Sequence, residues 1–525
     1  MISISDSGTA LGRVNKTGLA RNILSNWIAI TAIGLTSFLL TPIFIHGLGD
    51  LQYGIWILAS SFSTYYGLLD LGLRPTLSRF VARFKGAQEE HHLNETLTTA
   101  FGISLVLAVL VCVLTAVLVV VLPPFFKFSG ETRLLFERLI LIVGVDVAFA
   151  FPGLLLGSAL LGLQRFDLYS LVSITSTVVR AILQVVAIYL KFGVLGIAIV
   201  ALLIDAALIP VQWWVLHWTD LGISIRWRMF HWSRVRELAS FGFFSFLINA
   251  GDYLRFYTDS VVIGRVLGAI LVTPFNVAGR LMGYFRMGIT ALTTPFVPRM
   301  SEVEGQGNQS ELRETFLCGT KIAALFSVFV SSLLFLDGKA LLSLWVGERF
   351  VKHYGLLMTL TLGYAVAMAQ RPSTQLAYAQ GRHRVLGLWM LGEGIANVLL
   401  SVYWARRYGL IGVALGTTVP MLVTGLIFQP WYVLRGIKLP VGDYVRRALL
   451  GPILSGTILV CVAKLIMFAF AGSGLGWFVC NVGLHTALFG CLAYRFGLTV
   501  ADRELVWQRG KQLVTSLGLA KADGV

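Results

Sequence analysis

The 525-residue sequence predicts an all-α polytopic membrane protein, on three observations. About fourteen apolar stretches, each long enough for a transmembrane helix, run from Ile23 to Phe496 with short loops between them. Hydrophobic residues make up 56% of the chain and charged residues 13%, which leaves little material for a soluble domain. The basic residues alternate from loop to loop, dense on one side and sparse on the other. A hydrocarbon core ~30 Å thick takes roughly 20 helical residues to cross. Inside it each backbone polar group must find its partner within its own helix, so the stretches are helices and the work of the chain is done in or across a bilayer.

In chain order the expected spans are Ile23–Ile45, Tyr53–Leu73, Leu97–Leu122, Leu134–Leu163, Leu168–Leu190, Val194–Trp218 and Leu238–Leu267. Then follow Leu271–Val297, Phe316–Leu336, Tyr354–Ala379, Val385–Trp404, Leu410–Leu434, Ala448–Ala471 and Leu475–Phe496. With the N-terminus inside, the inner loops hold Arg74, Arg79, Arg83 and Lys85, then Arg165, then Arg226, Arg228, Arg234 and Arg236. Arg299, Arg313, Arg382, Arg384, Arg435, Lys438, Arg446 and Arg447 continue the series, and Arg13, Lys16, Arg21, Arg503, Arg509, Lys511 and Lys521 lie in the tails. The opposite loops are poorer in basic residues, with Lys127, Arg133, Lys191, Lys339, Arg349, Lys352, Arg406 and Arg407. That bias puts both termini in the cytoplasm. Trp213, Trp214, Trp218, Trp227 and Trp232 gather near one membrane edge, as an aromatic belt does.

Four regions follow: an N-lobe of six helices (1–220), a cytoplasmic amphipathic linker (221–237), a C-lobe of six more (238–434), and two helices with a cytoplasmic tail (435–525). The linker is polar, basic and aromatic, a composition suited to lying on the inner leaflet. An internal match supports two lobes. Phe192-Gly193-Val194-Leu195-Gly196-Ile197-Ala198 resembles Tyr408-Gly409-Leu410-Ile411-Gly412-Val413-Ala414, 216 residues on. Each opens the last helix of its six, in the same orientation. A parallel pseudo-repeat of two six-helix lobes is a transporter plan, with substrate bound between repeats.

Several functions are excluded by what the chain lacks. The net charge of +16 belongs to the loops that hold the topology, and no basic run is interleaved with polar surface as a nucleic-acid site requires. Cys112, Cys318, Cys461, Cys480 and Cys491 lie in or beside apolar segments without a CxxC pair and read as small hydrophobes. The first apolar run is too long for a signal-peptide core and is expected to remain as a helix. There is no phosphate-cradling Walker loop, and the eight histidines show no metal-ligand spacing. Neither enzyme chemistry, nor a metal, nor a cofactor is expected.

Ionisable residues inside the bilayer are costly and mark cavities or paired partners. The seventh span is richest. Asn249, Asp252, Arg255 and Asp259 are spaced three, three and four apart, on one helical face. The eighth carries Arg280, Tyr284 and Arg286, and counting from the shared outer loop sets Asp252 at the depth of Arg286 and Arg255 at that of Arg280. These residues either lock the two helices as ion pairs or line a polar cavity that binds an anion or a coupling ion. Arg180 in the fifth span, Asp146 and Asp205 in the fourth and sixth, and Glu393 with Asn397 in the eleventh are further candidates. Arginine is the residue that holds a phosphate through two parallel hydrogen bonds. Substrate contact is therefore expected at Arg280, Arg286, Arg255 and Arg180. Ion coupling or structural pairing is expected at Asp252, Asp259, Asn249 and Glu393.

Longer stretches carry a family resemblance. Leu48-Gly49-Asp50-Leu51-Gln52-Tyr53-Gly54-Ile55-Trp56, Leu68-Leu69-Asp70-Leu71-Gly72-Leu73 and Ser78-Arg79-Phe80-Val81-Ala82 resemble Wzx-type O-antigen and exopolysaccharide flippases. So do Thr258-Asp259-Ser260-Val261-Val262-Ile263-Gly264, Asn276-Val277-Ala278-Gly279-Arg280-Leu281 and Leu342-Ser343-Leu344-Trp345-Val346-Gly347. These proteins form the polysaccharide-transporter branch of the MOP superfamily, beside MATE exporters and lipid II flippases. The resemblance spans Ile23 to about Leu434. It implies a bacterial inner-membrane flippase with a cationic central cavity that opens alternately to either side. Its cargo would be a polyprenyl-diphosphate-linked oligosaccharide, its driving ion H+ or Na+, and its neighbours the membrane lipids and the polysaccharide polymerase or export machinery. The alternative is an ion-coupled MATE-like small-molecule exporter, in which Asp252 or Asp259 binds the ion and Arg280 is structural.

Overall fold

Apolar runs of this length leave the backbone no partner but itself, and helices account for nearly all the regular structure of the computed structural model. It describes residues 16–498 and Arg503, except Leu71, residues 219–223, Phe470, Ala471 and Ser473. The tail residues Arg13, Arg509, Lys511 and Lys521 therefore lie outside the described residues, as does the start of the expected linker. Among the described residues, nine helical stretches are long and apolar enough to cross a membrane. The chain is a multi-pass membrane protein.

The helices run α1 (Lys16–Tyr66), α2 (Leu73–Gly86), α3 (Glu90–Phe125), α4 (Gly130–Gly162), α5 (Phe166–Tyr189) and α6 (Gly193–His217). Next come α7 (Trp232–Phe256), α8 (Thr258–Val266), α9 (Val272–Thr293), α10 (Phe296–Gly305), α11 (Gln309–Val346) and α12 (Tyr354–Ala369). The last are α13 (Arg371–Ala379), α14 (His383–Val423), α15 (Gln429–Gly436), α16 (Val441–Tyr444), α17 (Leu450–Ala469) and α18 (Leu475–Leu492). They form two compact units. Unit 1 comprises Met1–Leu48, Tyr66–Pro124 and Phe128–Phe243, and unit 2 comprises Gly49–Tyr65, Phe125–Lys127 and Phe244–Val525.

Two glycines divide helices that are otherwise continuous. Gly49 (φ 74°) breaks α1 and Gly409 (φ 57°) breaks α14, both in the left-handed region where a side chain is strained. Gly193 (φ 62°) opens α6 the same way, so the first glycine of each matched sequence stretch has the same backbone role. The second glycine of each, Gly196 and Gly412, lies close against the preceding helix, at Ala187 and at Trp404.

In unit 1, Leu77 and Val81 of α2, Leu97 of α3, Leu156 and Leu160 of α4 and Leu216 of α6 share one buried core. Asn94, Thr98 and Thr99 on the first turns of α3 accept backbone N–H groups of Ser224 (2.9 Å), Arg226 (3.3 Å) and His231 (3.2 Å). That stretch of the expected linker is tied down along α3. It carries one 3-10 turn, Trp227–Met229, in place of a continuous surface helix, and α7 begins at Trp232. Nearby, Glu95 gathers His92 (3.0 Å), His231 (3.3 Å), His91 (3.4 Å) and Arg234 (3.4 Å). These contacts tie the start of α3 to the stretch that leads into α7.

In unit 2, α11 packs against α9, α12, α17 and α18. The two final helices therefore belong to this unit. His485 of α18 meets Asp337 of α11 at 2.7 Å, both buried. One end of the unit is knitted by the basic loops. Arg313 donates to the Ile437 carbonyl (2.7 Å), Arg447 pairs with Glu314 (2.6 Å), and Arg299 pairs with Glu302 and Glu311. At the other end Thr273 donates to the Asp50 carbonyl (2.6 Å) and Arg349 pairs with the Asp50 carboxylate (3.0 Å).

Candidate functional site

The seventh apolar span is not one straight helix. Tyr257 (φ −122°, ψ −13°) separates α7 from α8, so the face predicted to carry Asn249, Asp252, Arg255 and Asp259 is split. The first three face a void of about 290 Å³ within unit 2, while Asp259 belongs to a different group of side chains. The tenth span is broken in the same way at Gln370, between α12 and α13. That break sets Arg371 at the start of α13, on the wall of the same void.

Three arginines line this void. Arg255 Nε lies 2.5 Å from Glu393 Oε1, with both side chains almost fully buried and the N–H not aimed along a hydrogen bond. Glu393 is held from its other oxygen by the Thr424 hydroxyl at 2.7 Å. Thr424 starts a turn of π-helix, Thr424–Phe428, that carries α14 into α15 and Gln429 to the void. Arg286 donates to the Tyr257 hydroxyl at 3.4 Å and stacks over the Phe256 ring at 4.4 Å. The Arg255 guanidinium sits over the same ring at 4.9 Å. Ring faces attract such cations and hold them in place without neutralising them. Arg371 Nε and Gln429 Oε1 are buried without a hydrogen-bond partner. Asp252, half-buried, lies within electrostatic reach of both Arg286 and Arg371.

The charge count is decisive. Against three arginines stand Asp252 and Glu393, which leaves one positive charge over. An unbalanced buried cation is costly in a membrane, and an anionic ligand relieves it. Guanidinium forks suit phosphate oxygens in particular.

The other predicted residues lie apart from this void. Arg280 Nε donates to Asn276 Oδ1 (3.0 Å), with the Tyr53 hydroxyl on the same oxygen (3.1 Å) and Tyr284 within hydrogen-bonding reach. Arg180 of α5 pairs with Asp205 of α6 in unit 1, and Asp146 of α4 stands beside Asp205. Asp259 is buried and accepts from Thr417 Oγ1 (2.7 Å) and Ser401 Oγ (3.4 Å). Asn397 Oδ1 and the Val413 carbonyl surround the same hydroxyls. One carboxylate with a carboxamide, two hydroxyls and a carbonyl is an all-oxygen set, suited to a hard cation.

A helical, membrane-crossing chain with charged groups gathered inside it is built as a transporter. The model of the polysaccharide biosynthesis protein family matches residues 77–354, just over half of the 525. The chain belongs to that family. It is 21% identical over 416 residues to the Shigella flexneri protein named "Putative O-antigen transporter", covering 77% of this chain and 93% of that one. Two solved structures share the fold. One is the lipid II flippase MurJ in an inward closed conformation, with TM-score 0.69 and 14% identity over 93% of this chain and 100% of that one. The other is an inward-facing multidrug resistance MATE transporter of the MOP superfamily, with TM-score 0.61 and 19% identity over 78% of this chain and 98% of that one.

Proposed function

We propose that this protein is a flippase. It moves a polyprenyl-diphosphate-linked oligosaccharide from the cytoplasmic to the outer leaflet of the bacterial inner membrane by alternating access, and catalyses no reaction. The observation that carries this reading is the surplus positive charge over the void of unit 2, where Arg286 and Arg371 face open space and a diphosphate would balance them. The name of the Shigella flexneri relative supports a polysaccharide cargo. The sugar and diphosphate cross in the polar interior while the isoprenoid tail stays in lipid, and the polymerase or export machinery takes the cargo up outside.

Coupling is assigned to Asp259, whose oxygen surroundings suit H+ or Na+. The same reading takes the chain as fourteen crossings, in two six-helix lobes plus two, with both termini in the cytoplasm. A straight helix of the 51 residues of α1 would be ~77 Å long, more than twice a hydrocarbon core. The breaks at Gly49 and Gly409 support two crossings in each of α1 and α14.

Depleting the protein tests the reading. Lipid-linked oligosaccharide should accumulate on the inner leaflet, and Arg286→Ala or Arg371→Ala should fail to clear it. Normal delivery in the depleted cell rejects the proposal. The oxygen set at Asp259 would also serve an ion-coupled exporter of small molecules. In that case drug efflux survives the two arginine substitutions and the glycan lipid never accumulates.

A further inference from the structure

A second groove in unit 2, of about 530 Å³, lies at the end of its helices opposite the basic loops. Its walls are apolar, formed largely by Val262, Val398 and Val402. Three cations rim it: Lys127 in the turn after α3, Arg265 in the last turn of α8, and Arg406 just before the break in α14. Among the described residues none of the three has an ion pair or hydrogen bond, and no carboxylate lines the groove. Arg265 is steadied only by the Phe125 ring, at 5.4 Å. Arg349 at the same end, by contrast, is neutralised by Asp50.

Helix-end electrostatics explains one cation at a helix C-terminus. It does not explain three converging on one apolar groove. Nor does topology, since basic residues are sparse in the loops at this end. All three sit at or near a helix end or break, where a membrane-crossing helix leaves the hydrocarbon for the headgroup region. We propose that this groove binds an anionic phospholipid, with its phosphate among Lys127, Arg265 and Arg406 and the first part of its chains along the valines. The lining favours a phospholipid over the glycan-linked cargo. Thr258 is its one uncharged polar side chain, and that hydroxyl is already engaged by Tyr65 at 2.7 Å, so nothing remains to recognise a sugar. The proposal holds whatever the transported molecule is.

The test counts lipid on the purified full-length protein in uncharged detergent, by native mass spectrometry with added phosphatidylglycerol or phosphatidylcholine. Phosphatidylglycerol should be retained preferentially. Each of Lys127→Gln, Arg265→Gln and Arg406→Gln should weaken that retention about 5-fold, and the triple variant about 100-fold. Lys352→Gln, an exposed charge outside the groove, should change nothing. The single variants serve if the triple one does not fold. Retention by the triple variant equal to that of the unaltered protein overturns the proposal, as does equal loss of both lipids. Loss confined to an added polyprenyl diphosphate also overturns it, and points instead to a cargo site. Transport is not part of the readout, so failure here leaves the flippase reading untouched.

Discussion

Arginines stand among the apolar helices of both units, and the two units treat them differently. In unit 1, Arg180 meets Asp205 with Asp146 beside it, so two carboxyl groups answer one guanidinium. In unit 2, three arginines share Asp252 and Glu393 around an open void. In the first arrangement the carboxyl groups outnumber the guanidinium. In the second the arginines outnumber the carboxylates by one. The comparison teaches that a buried arginine is evidence for a ligand only after its carboxylates have been counted.

The largest effect should come from breaking the buried Arg255–Glu393 pair beside the void of unit 2. Glu393→Ala leaves Arg255 buried and uncompensated, and should cost about 3–5 kcal/mol of stability. Thermal unfolding in detergent measures it. Replacing both partners with apolar residues, Arg255→Met with Glu393→Leu, should recover most of the loss. If Glu393→Ala melts with the unaltered protein, the pair does not hold α7 to α14 and the comparison fails.

Next come the two arginines of the void that hold no bonded carboxylate. Arg286→Ala and Arg371→Ala should each reduce transport of lipid-linked glycan about 10- to 100-fold, the worth of one or two charge-assisted hydrogen bonds. Their melting temperatures should move little, because neither has a carboxylate bonded to it. Glycan accumulation on the inner leaflet, set beside thermal melting, separates this from misfolding. A variant that transports normally removes its arginine from the site.

How far the sequence reached can be judged on these same residues. Hydropathy revealed the helices because length and apolar content suffice for that. Helical spacing set Asp252 and Arg255 on one face and depth counting set Asp252 level with Arg286, and all three line the void of unit 2, since those rules hold within an unbroken helix. They failed at Asp259, because Tyr257 interrupts α7 with no proline or glycine at that position to announce it. Arg280 lies outside that void, in surroundings the sequence did not announce. Its neighbours Tyr53 and Asn276 are neutral, and Tyr53 comes from a segment more than 200 residues away. Arg371 has a legible signal, since an arginine followed by Pro372 inside an apolar span is both a charge and a helix break. The turn of π-helix at Thr424 had no sequence signal.

A smaller effect is expected at Asp259. Thr417→Val removes a hydroxyl hydrogen bond to the carboxylate and one oxygen of the proposed ion set. The midpoint for the driving cation should rise roughly 5-fold, the worth of about 1 kcal/mol, with maximal transport retained. Transport in vesicles across a range of Na+ concentrations, and again across a pH gradient, reads this directly and identifies the ion. An unchanged midpoint for both cations would place coupling elsewhere.

The smallest effect should fall on unit 1, and it bears most directly on the comparison. Asp205→Asn removes the partner of Arg180, which by the logic of Glu393 ought to be severe. Asp146 is already beside that group, however, and its Oδ1 is buried without a hydrogen-bond partner. One carboxylate is enough to balance one guanidinium, and Arg180 is also partly exposed. The change should therefore stay within about 1 kcal/mol, the range of an exposed or replaceable ion pair. Asp146→Asn with Asp205→Asn removes both carboxylates and should cost clearly more than the sum of the single changes, as coupled neighbours do. A double-mutant cycle by thermal unfolding measures that excess. If the two substitutions simply add, Asp146 is no reserve partner, and unit 1 holds its arginine by a single pair just as unit 2 holds Arg255.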